Sequence, residues 1–380
     1  MIYLDNAATT QMDEEVLECM LPYFREYYGN PAAIYSLAGQ SGKAVAKARS
    51  QVAELISARK EEIYFTGGGS ESDNWAIKAV ADLYEKEGCH IITTTIEHHA
   101  VLHTCEYLEK KGIRVTYVGV DAQGFVDPEK IRQAIRPDTR LISVMAANNE
   151  IGTIQPLKEI GQIARTQGIL FHTDAVQACG HIPLDVEELQ VDLLSASGHK
   201  IHGPKGVGIL YIRRNVKLGS FLHGGAQERH RRAGTHNVPA IVGMGKAAEL
   251  AKQRMTESMA KESKLRDYLI ERVLAQVPET YLNGSRENRL PNNASFCFRG
   301  IEGESLLILL DQKGICGSGG SACSTGAVDP SHVLRAIGVQ EDLARGVLRL
   351  TVSSQTTREE LDMAVEAIRS NVEKLRSMRI

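Results

Sequence analysis

LISVMAANNEIGTIQPLKEIGQIARTQGILFHTDAVQ, residues 141–177, decides the fold. Its opening run LISVMA (141–146) is a short apolar stretch with β-branched residues, and ILFHT (169–173) repeats that character, so both read as buried strands. Between them LKEIGQIARTQG has helical spacing and ends on a glycine suited to a C-terminal cap. The alternation continues outward. IYF (63–65), HIITTT (90–95) and VTYV (115–118) precede it, and VDLLSA (191–196) and VGILYI (207–212) follow. Seven strands separated by helical or turn segments predict an α/β domain around a seven-stranded, mainly parallel sheet.

Other helices carry the same kind of signature. VLHTCEYLEKKG has helical spacing and a terminal glycine, and a helix over 40–57 places Val45, Ala48, Val52, Leu55 and Ile56 on one stripe. Beyond residue 236 the pattern changes to long helical periodicity, from AIVGMGKAAELAKQRM to LRDYLIERVLAQV. ASFCF (294–298), SLLILLDQKG, GVLRLTVS and a last helix over about 357–377 then predict a smaller α+β domain. The expected division is an N-terminal segment over 1–15 packing with the small domain, a large α/β domain over 16–255, and a small domain over 256–380.

The chain has 380 residues and a net charge of -3 from 44 basic and 47 acidic side chains, so it lacks the basic excess that nucleic acid or an anionic membrane selects. Small molecules and protein partners are expected instead. MIYLDNAATT at the start has an Asp at position 5 and does not read as a signal peptide. No run reaches the roughly 18 apolar residues of a membrane span. The seven cysteines are odd in number and never form C-x-x-C, which argues against a disulfide framework and a cysteine zinc site and for a reducing cytoplasm.

In open α/β sheets ligands gather at the carboxyl ends of the strands, so the residues after each strand are the ones to inspect. FTGGGSESDN (65–74) leads through Gly67, Gly68 and Gly69 to Ser70, with a helix expected from around Asn74 and Ser70 and Asp73 as its capping box. That is a candidate phosphate cradle; the plainer alternative is a glycine turn that merely caps a helix. Asp174 directly follows ILFHT, either as a carboxylate held beside a ligand or as a helix N-cap. VDLLSASGHKIHGPKG delivers Ser197, His199 and Lys200 past the next strand. A lysine there is ordinarily solvated, but beyond a buried strand low dielectric and cationic neighbours also favour a neutral, nucleophilic amine; Lys205 competes for that role from a turn, and Lys200 is preferred.

Cradle, Asp and Lys together describe pyridoxal phosphate, with the amine bonded to the cofactor and Asp174 keeping its pyridine nitrogen protonated. His98 in TIEHHAV would stack on the ring and shuttle a proton. Asn149 and Gln177 also follow strands, in reach of a substrate carboxylate and the cofactor's phenolic oxygen. Arg349 in GVLRLTVS is either an edge charge or a planar clamp for a carboxylate, and an amino-acid substrate favours the clamp. His99 and His103, four apart, imitate a zinc face but lack the Glu of H-E-x-x-H or a third ligand, so a solvated or capping pair is the better reading. In GSGGSACSTGAVDP (317–330), Cys323 stands among small residues with no core to enter. It is a stray surface cysteine or a reactive thiol on a mobile loop.

LDNAATT, GNPAA, FTGGGSESDN, EHHAVL, NNEIG, HTDAVQ, SGHKIHGPKG, HGGAQERHRRAGT and SGGSACSTGAVDPSHVLRAIG span nearly the whole chain. As a set they resemble the cysteine desulfurases of the NifS/IscS type, group I, which are fold-type-I pyridoxal-phosphate transferases of the class-V aminotransferase family. The resemblance implies removal of sulfur from L-cysteine, giving L-alanine and a persulfide on Cys323. That sulfur would pass to an acceptor such as an iron-sulfur scaffold or a tRNA-thiolating enzyme. It implies that Lys200 carries the cofactor, Asp174 pairs with the pyridine nitrogen and His98 stacks on the ring. Gly69 lies in the cradle, Ser70, Ser197 and His199 match phosphate contacts, and Thr235 matches one supplied by the second subunit of a homodimer. Asn149 and Arg349 match binders of the substrate carboxylate, and Gln177 the partner of the ring oxygen. A selenocysteine lyase or another fold-type-I aminotransferase is the alternative within enzymes. The chain departs from the family's usual residues at Ser70, Ala226, His230 and His236.

Overall fold

The computed structural model describes residues 1–319 and 331–378. Its strands are β1 (Ile2–Tyr3), β2 (Ile63–Thr66), β3 (His90–Thr94), β4 (Arg114–Val118), β5 (Thr139–Ser143), β6 (Leu170–Asp174), β7 (Leu193–Ser197), β8 (Gly208–Ile212), β9 (Thr280–Leu282), β10 (Asn293–Phe298), β11 (Ile315–Cys316) and β12 (Val347–Thr351). Strands β2 to β8 form one sheet in the order β2-β8-β7-β6-β5-β3-β4. From β4 to β7 every pairing is parallel, and β8 runs antiparallel to both β7 and β2. All seven strands lie within three residues of their expected positions.

Both faces of this sheet are covered, which is why the strands read as nearly continuous apolar runs. Successive residues divide between two cores. Ile91, Leu141, Leu193 and Leu210 pack with Trp75, Ile77 and Val101 on one face. Ile92, Ile142, Leu194 and Ile209 pack with Val45, Phe171 and Met244 on the other. The helix expected over 40–57 is Ser36–Leu55, and Leu157–Gln167 ends on Gly168 in the left-handed conformation at φ 66°.

The long periodic stretch after residue 236 is a single helix, Val238–Gln276, of 39 residues and about 60 Å. Its first turns, with Ala240, Met244 and Leu250, pack under the large sheet. Leu269, Ile270 and Val273 near its other end enter a separate core with Phe296, Leu348 and Leu350. That core is built on an antiparallel sheet, β12-β10-β9, and on the helix Arg358–Ser377. The chain start joins it: β1 pairs with β11, Ile2 and Leu4 are buried there, and Asp5 bridges to Thr351. Residues 5–8 therefore run between β12 and the carboxyl ends of β6 and β7.

Candidate active site

The carboxyl ends of β2, β3, β5, β6 and β7 open onto one cavity of about 400 Å³, a volume in the range of small-molecule sites. At one end lies the turn after β2. The helix that follows starts at Gly69, and not near Asn74 as the sequence suggests. Ser70 and Asp73 therefore form no capping box. Gly68, at φ 154°, stands directly before the helix and lets it begin at once, leaving Ser70 in the first turn and Asp73 in the next. The cap residue offers no side chain to the first N–H groups, and Gly69 and Ser70 line the cavity. A Cβ on Gly69 would stand 2.6 Å from Val176 Cγ2, so backbone itself forms this wall.

Ser197, the last residue of β7, and His199 line the cavity as well. The His199 Nδ1 pairs with Thr9 Oγ1 at 3.1 Å. Burial, with Lys200 and Lys205 nearby, holds its pKa down to about 4, so the ring is neutral at physiological pH.

Asp174 ends β6 fully inside the protein. Burial raises its pKa, while His98, the Val176 N–H and Lys200 oppose the rise. Its Oδ1 accepts from Val176 N at 2.9 Å. His98 caps the helix His99–Glu109, its Nδ1 accepting from Ala100 N at 3.1 Å, which places the proton of a neutral ring on Nε2. One atom each of His98, Asp174 and Asp73 lies within 4.8 Å of the others.

Lys200 ends the short 3-10 turn Gly198–Lys200 after β7. Its Nζ donates to the carbonyls of Ala7 at 2.5 Å and Ala8 at 2.7 Å, and Gln177 Nε2 donates to Ala7 O at 2.9 Å. Lys205 is exposed, outside the cavity wall. Across the cavity Arg349 is 2% exposed, its Nη1 on Asn149 O and its Nη2 on Asp5 Oδ1, each at 2.9 Å. It is a buried planar cation facing the same space as Lys200, and not a solvated edge charge.

The cavity thus brings together Lys200, Asp174, His98, Gly69, Ser70, Asn149, Gln177, Ser197, His199 and Arg349. Thr235 is exposed and lies outside its wall. Cys323 lies outside the described residues. His99 and His103 stack at 4.8 Å, with His332 the same distance from His99. Among the described residues they join no group of three ligand atoms close enough to hold a metal. His236 meets Glu228 at 2.6 Å. Burial would raise the Glu228 carboxyl, but hydrogen bonds from Arg49 and His236 bring it down to about 2. Glu228, Arg229 and His230 all have left-handed backbone, a strained turn that the Arg49 pair holds in place.

These residues fit pyridoxal phosphate: a helix N-terminus without a side-chain cap at one end, a buried carboxylate at the other and an amine between them. Ala7 and Ala8 in LDNAATT hold the amine through backbone carbonyls, which no side chain in the sequence announces. Glu97 in EHHAVL and Glu150 in NNEIG are buried, and a carboxylate's burial has no local signature in the sequence.

The class-V aminotransferase family model matches residues 2–363. The chain is 55% identical over 377 residues to a cysteine desulfurase IscS of Methanosarcina thermophila, covering 99% of this chain and 93% of that one. Among solved structures it resembles a NifS-like protein with a TM-score of 0.93 at 41% identity, over 98% of this chain and 99% of that chain. It also resembles SspA in complex with cysteine, with a TM-score of 0.84 at 36% identity, over 94% and 100% of the two chains.

Proposed function

The chain belongs to the class-V aminotransferase family, and on that premise we propose that it is a pyridoxal-phosphate-dependent cysteine desulfurase that leaves the sulfur of L-cysteine on Cys323. The observation that carries this reading is the Lys200 amine between the uncapped helix start at Gly69 and the buried Asp174. When bound, pyridoxal phosphate supplies a carbon that bonds amines and a ring that takes up the charge left at a substrate α-carbon.

This chain's residues supply the rest. Gly69, Ser70, Ser197 and His199 would hold the phosphate, Gln177 the ring oxygen, and Asp174 would keep a proton on the pyridine nitrogen. Arg349 and Asn149 orient the substrate carboxylate, which places the α-proton toward the Lys200 Nζ that removes it. His98 would stack on the ring and shuttle a proton. The Cys323 thiolate attacks the substrate sulfur; the new S–S bond forms as the C–S bond breaks. The bonding pair stays on the substrate carbon, which takes a proton; Lys200 Nζ returns a proton to the α-carbon, and alanine leaves. The persulfide then passes to an acceptor, for iron-sulfur cluster assembly or tRNA thiolation.

The working unit is a homodimer in which Thr235 reaches the partner's phosphate site. In support, Thr235 is exposed and outside the wall of its own chain's active-site cavity, and Leu17, Leu21, Phe24, Tyr28, Ile34 and Tyr35 expose apolar surface close together in the chain. A cytoplasmic location agrees with six free cysteines among the described residues.

The test is mass spectrometry of the cofactor-loaded protein after incubation with L-cysteine, together with alanine release. One added sulfur atom on Cys323, absent in Cys323→Ala while the cofactor's absorbance remains, is the expected result. Sulfur on another residue, or undiminished sulfide release by Cys323→Ala, would remove the assignment.

A further inference from the structure

We propose that Asp73 is a positioning residue that carries a proton and directs it at Asp174, so that Asp174 keeps its negative charge facing the pyridine nitrogen. The inference rests on the reading of the cavity as a pyridoxal phosphate site. Ser70 and Asp73 are three apart on the helix Gly69–Leu83 and both line the cavity, so its first turns set the phosphate end and the ring end together.

Asp73 is 1% exposed, and among the described residues its Oδ1 has no hydrogen-bond partner. Among the described residues its single ion-pair neighbour is His172, whose Nε2 lies 3.6 Å away. That ring does not supply a countercharge. It is fully buried, burial holds its pKa down to about 3, and its two nitrogens meet Ser143 Oγ at 2.8 Å and Ser195 Oγ at 3.0 Å. The three side chains follow the sheet register, with Ser143 opposite His172 and Asp174 opposite Ser195. A neutral imidazole is therefore fixed under Asp73 by β5 and β7.

Two carboxyl groups within 4.8 Å of each other in a water-poor site do not both ionise. What faces each of them decides which one does. Asp174 has His98, Lys200 and the Val176 N–H. Asp73 has burial and the charge of Asp174 pushing its pKa well up, with the Ser195 hydroxyl opposing. The charge belongs on Asp174 and the proton on Asp73. A neutral carboxyl is a donor, and an Asp174 oxygen lies within 4.8 Å of the unpartnered Asp73 Oδ1 or its neighbour.

The experiment compares wild type, Asp73→Asn and Asp73→Ala loaded with pyridoxal phosphate labelled with an NMR-active isotope at the pyridine nitrogen. It reads that nitrogen's chemical shift and the cofactor's Kd by equilibrium dialysis. Asn keeps a donor and cannot ionise, so Asp73→Asn should hold the nitrogen protonated with a Kd within about threefold of wild type. Asp73→Ala should move the signal toward the unprotonated position and weaken the cofactor by about tenfold or more. Asp73→Ser, which restores a donor, stands in for Asn if that variant does not fold. Asp73→Ala matching wild type, or the donor variant as damaged as Ala, would overturn the proposal. Wild type that takes up no cofactor would instead defeat the functional reading itself.

Discussion

Glu97 shows how one residue links the site to stability. Its Oε1 accepts from Thr94 Oγ1 at 2.7 Å and Met145 N at 3.0 Å, and its neighbour in the chain is His98. Burial nonetheless pushes its pKa up to about 8, and among the described residues Oε2 has no hydrogen-bond partner. A carboxyl raised in the fold contributes stability that is present below its unfolded value and lost as pH rises through the folded one. The window here runs from roughly 4.5 to about 8. Glu97→Gln, which cannot ionise, should therefore gain on wild type between about pH 5 and about pH 8. The expected gain is on the order of 1 kcal/mol per pH unit. Denaturant midpoints of both proteins at the two pH values measure it, and parallel pH profiles would contradict it. EHHAVL contains this glutamate, but only the fold brings Met145 N–H to it and takes water away.

At the scale of elements, capping separates what spacing can say from what it cannot. Ser70 and Asp73 have the spacing of a capping box, yet the chain at Ser70 is already helical and no reciprocal bonds form. The same pattern at the start of Arg358–Ser377 makes the true motif: Glu360 N donates to Thr357 Oγ1 at 3.2 Å and Thr357 N to Glu360 Oε2 at 2.9 Å. The difference is the backbone of the first residue, extended at Thr357 (φ -104°, ψ 163°) and helical at Ser70. Thr357→Ala should cost about 1 kcal/mol and lower Tm by about 2 °C, read by calorimetry. No change in Tm would mean that the box adds nothing to this helix end. Strands were easier to read than helix starts, because both-face burial writes itself along a whole run while a helix start depends on one glycine's φ.

At the scale of the molecule, the cavity is closed by residues as distant in sequence as Ala7 and Arg349, so a bound cofactor ties the chain start, the large sheet and β12 together. Removing pyridoxal phosphate should lower Tm. Restoring it at about one hundred times its Kd should return roughly 2.7 kcal/mol, and Lys200→Ala should gain much less from the same concentration. Calorimetry with and without the cofactor measures this. A Tm indifferent to it, or an equal gain in Lys200→Ala, would break the link between the amine and the cavity.

The order of strands and helices, and the presence of Asp174, Lys200 and His98 just past strand ends, were legible in the residues themselves. Hydrophobic period and turn chemistry act over a few residues, so a linear sequence displays them. Which ionisable groups share one dry space was decided only by tertiary structure. Asp73 comes to lie beside Asp174, Glu97 loses water, and Arg349 meets Asp5 across 344 positions. The energy of a charge depends on what surrounds it in three dimensions and on the exclusion of solvent, and neither is written in the order of the chain.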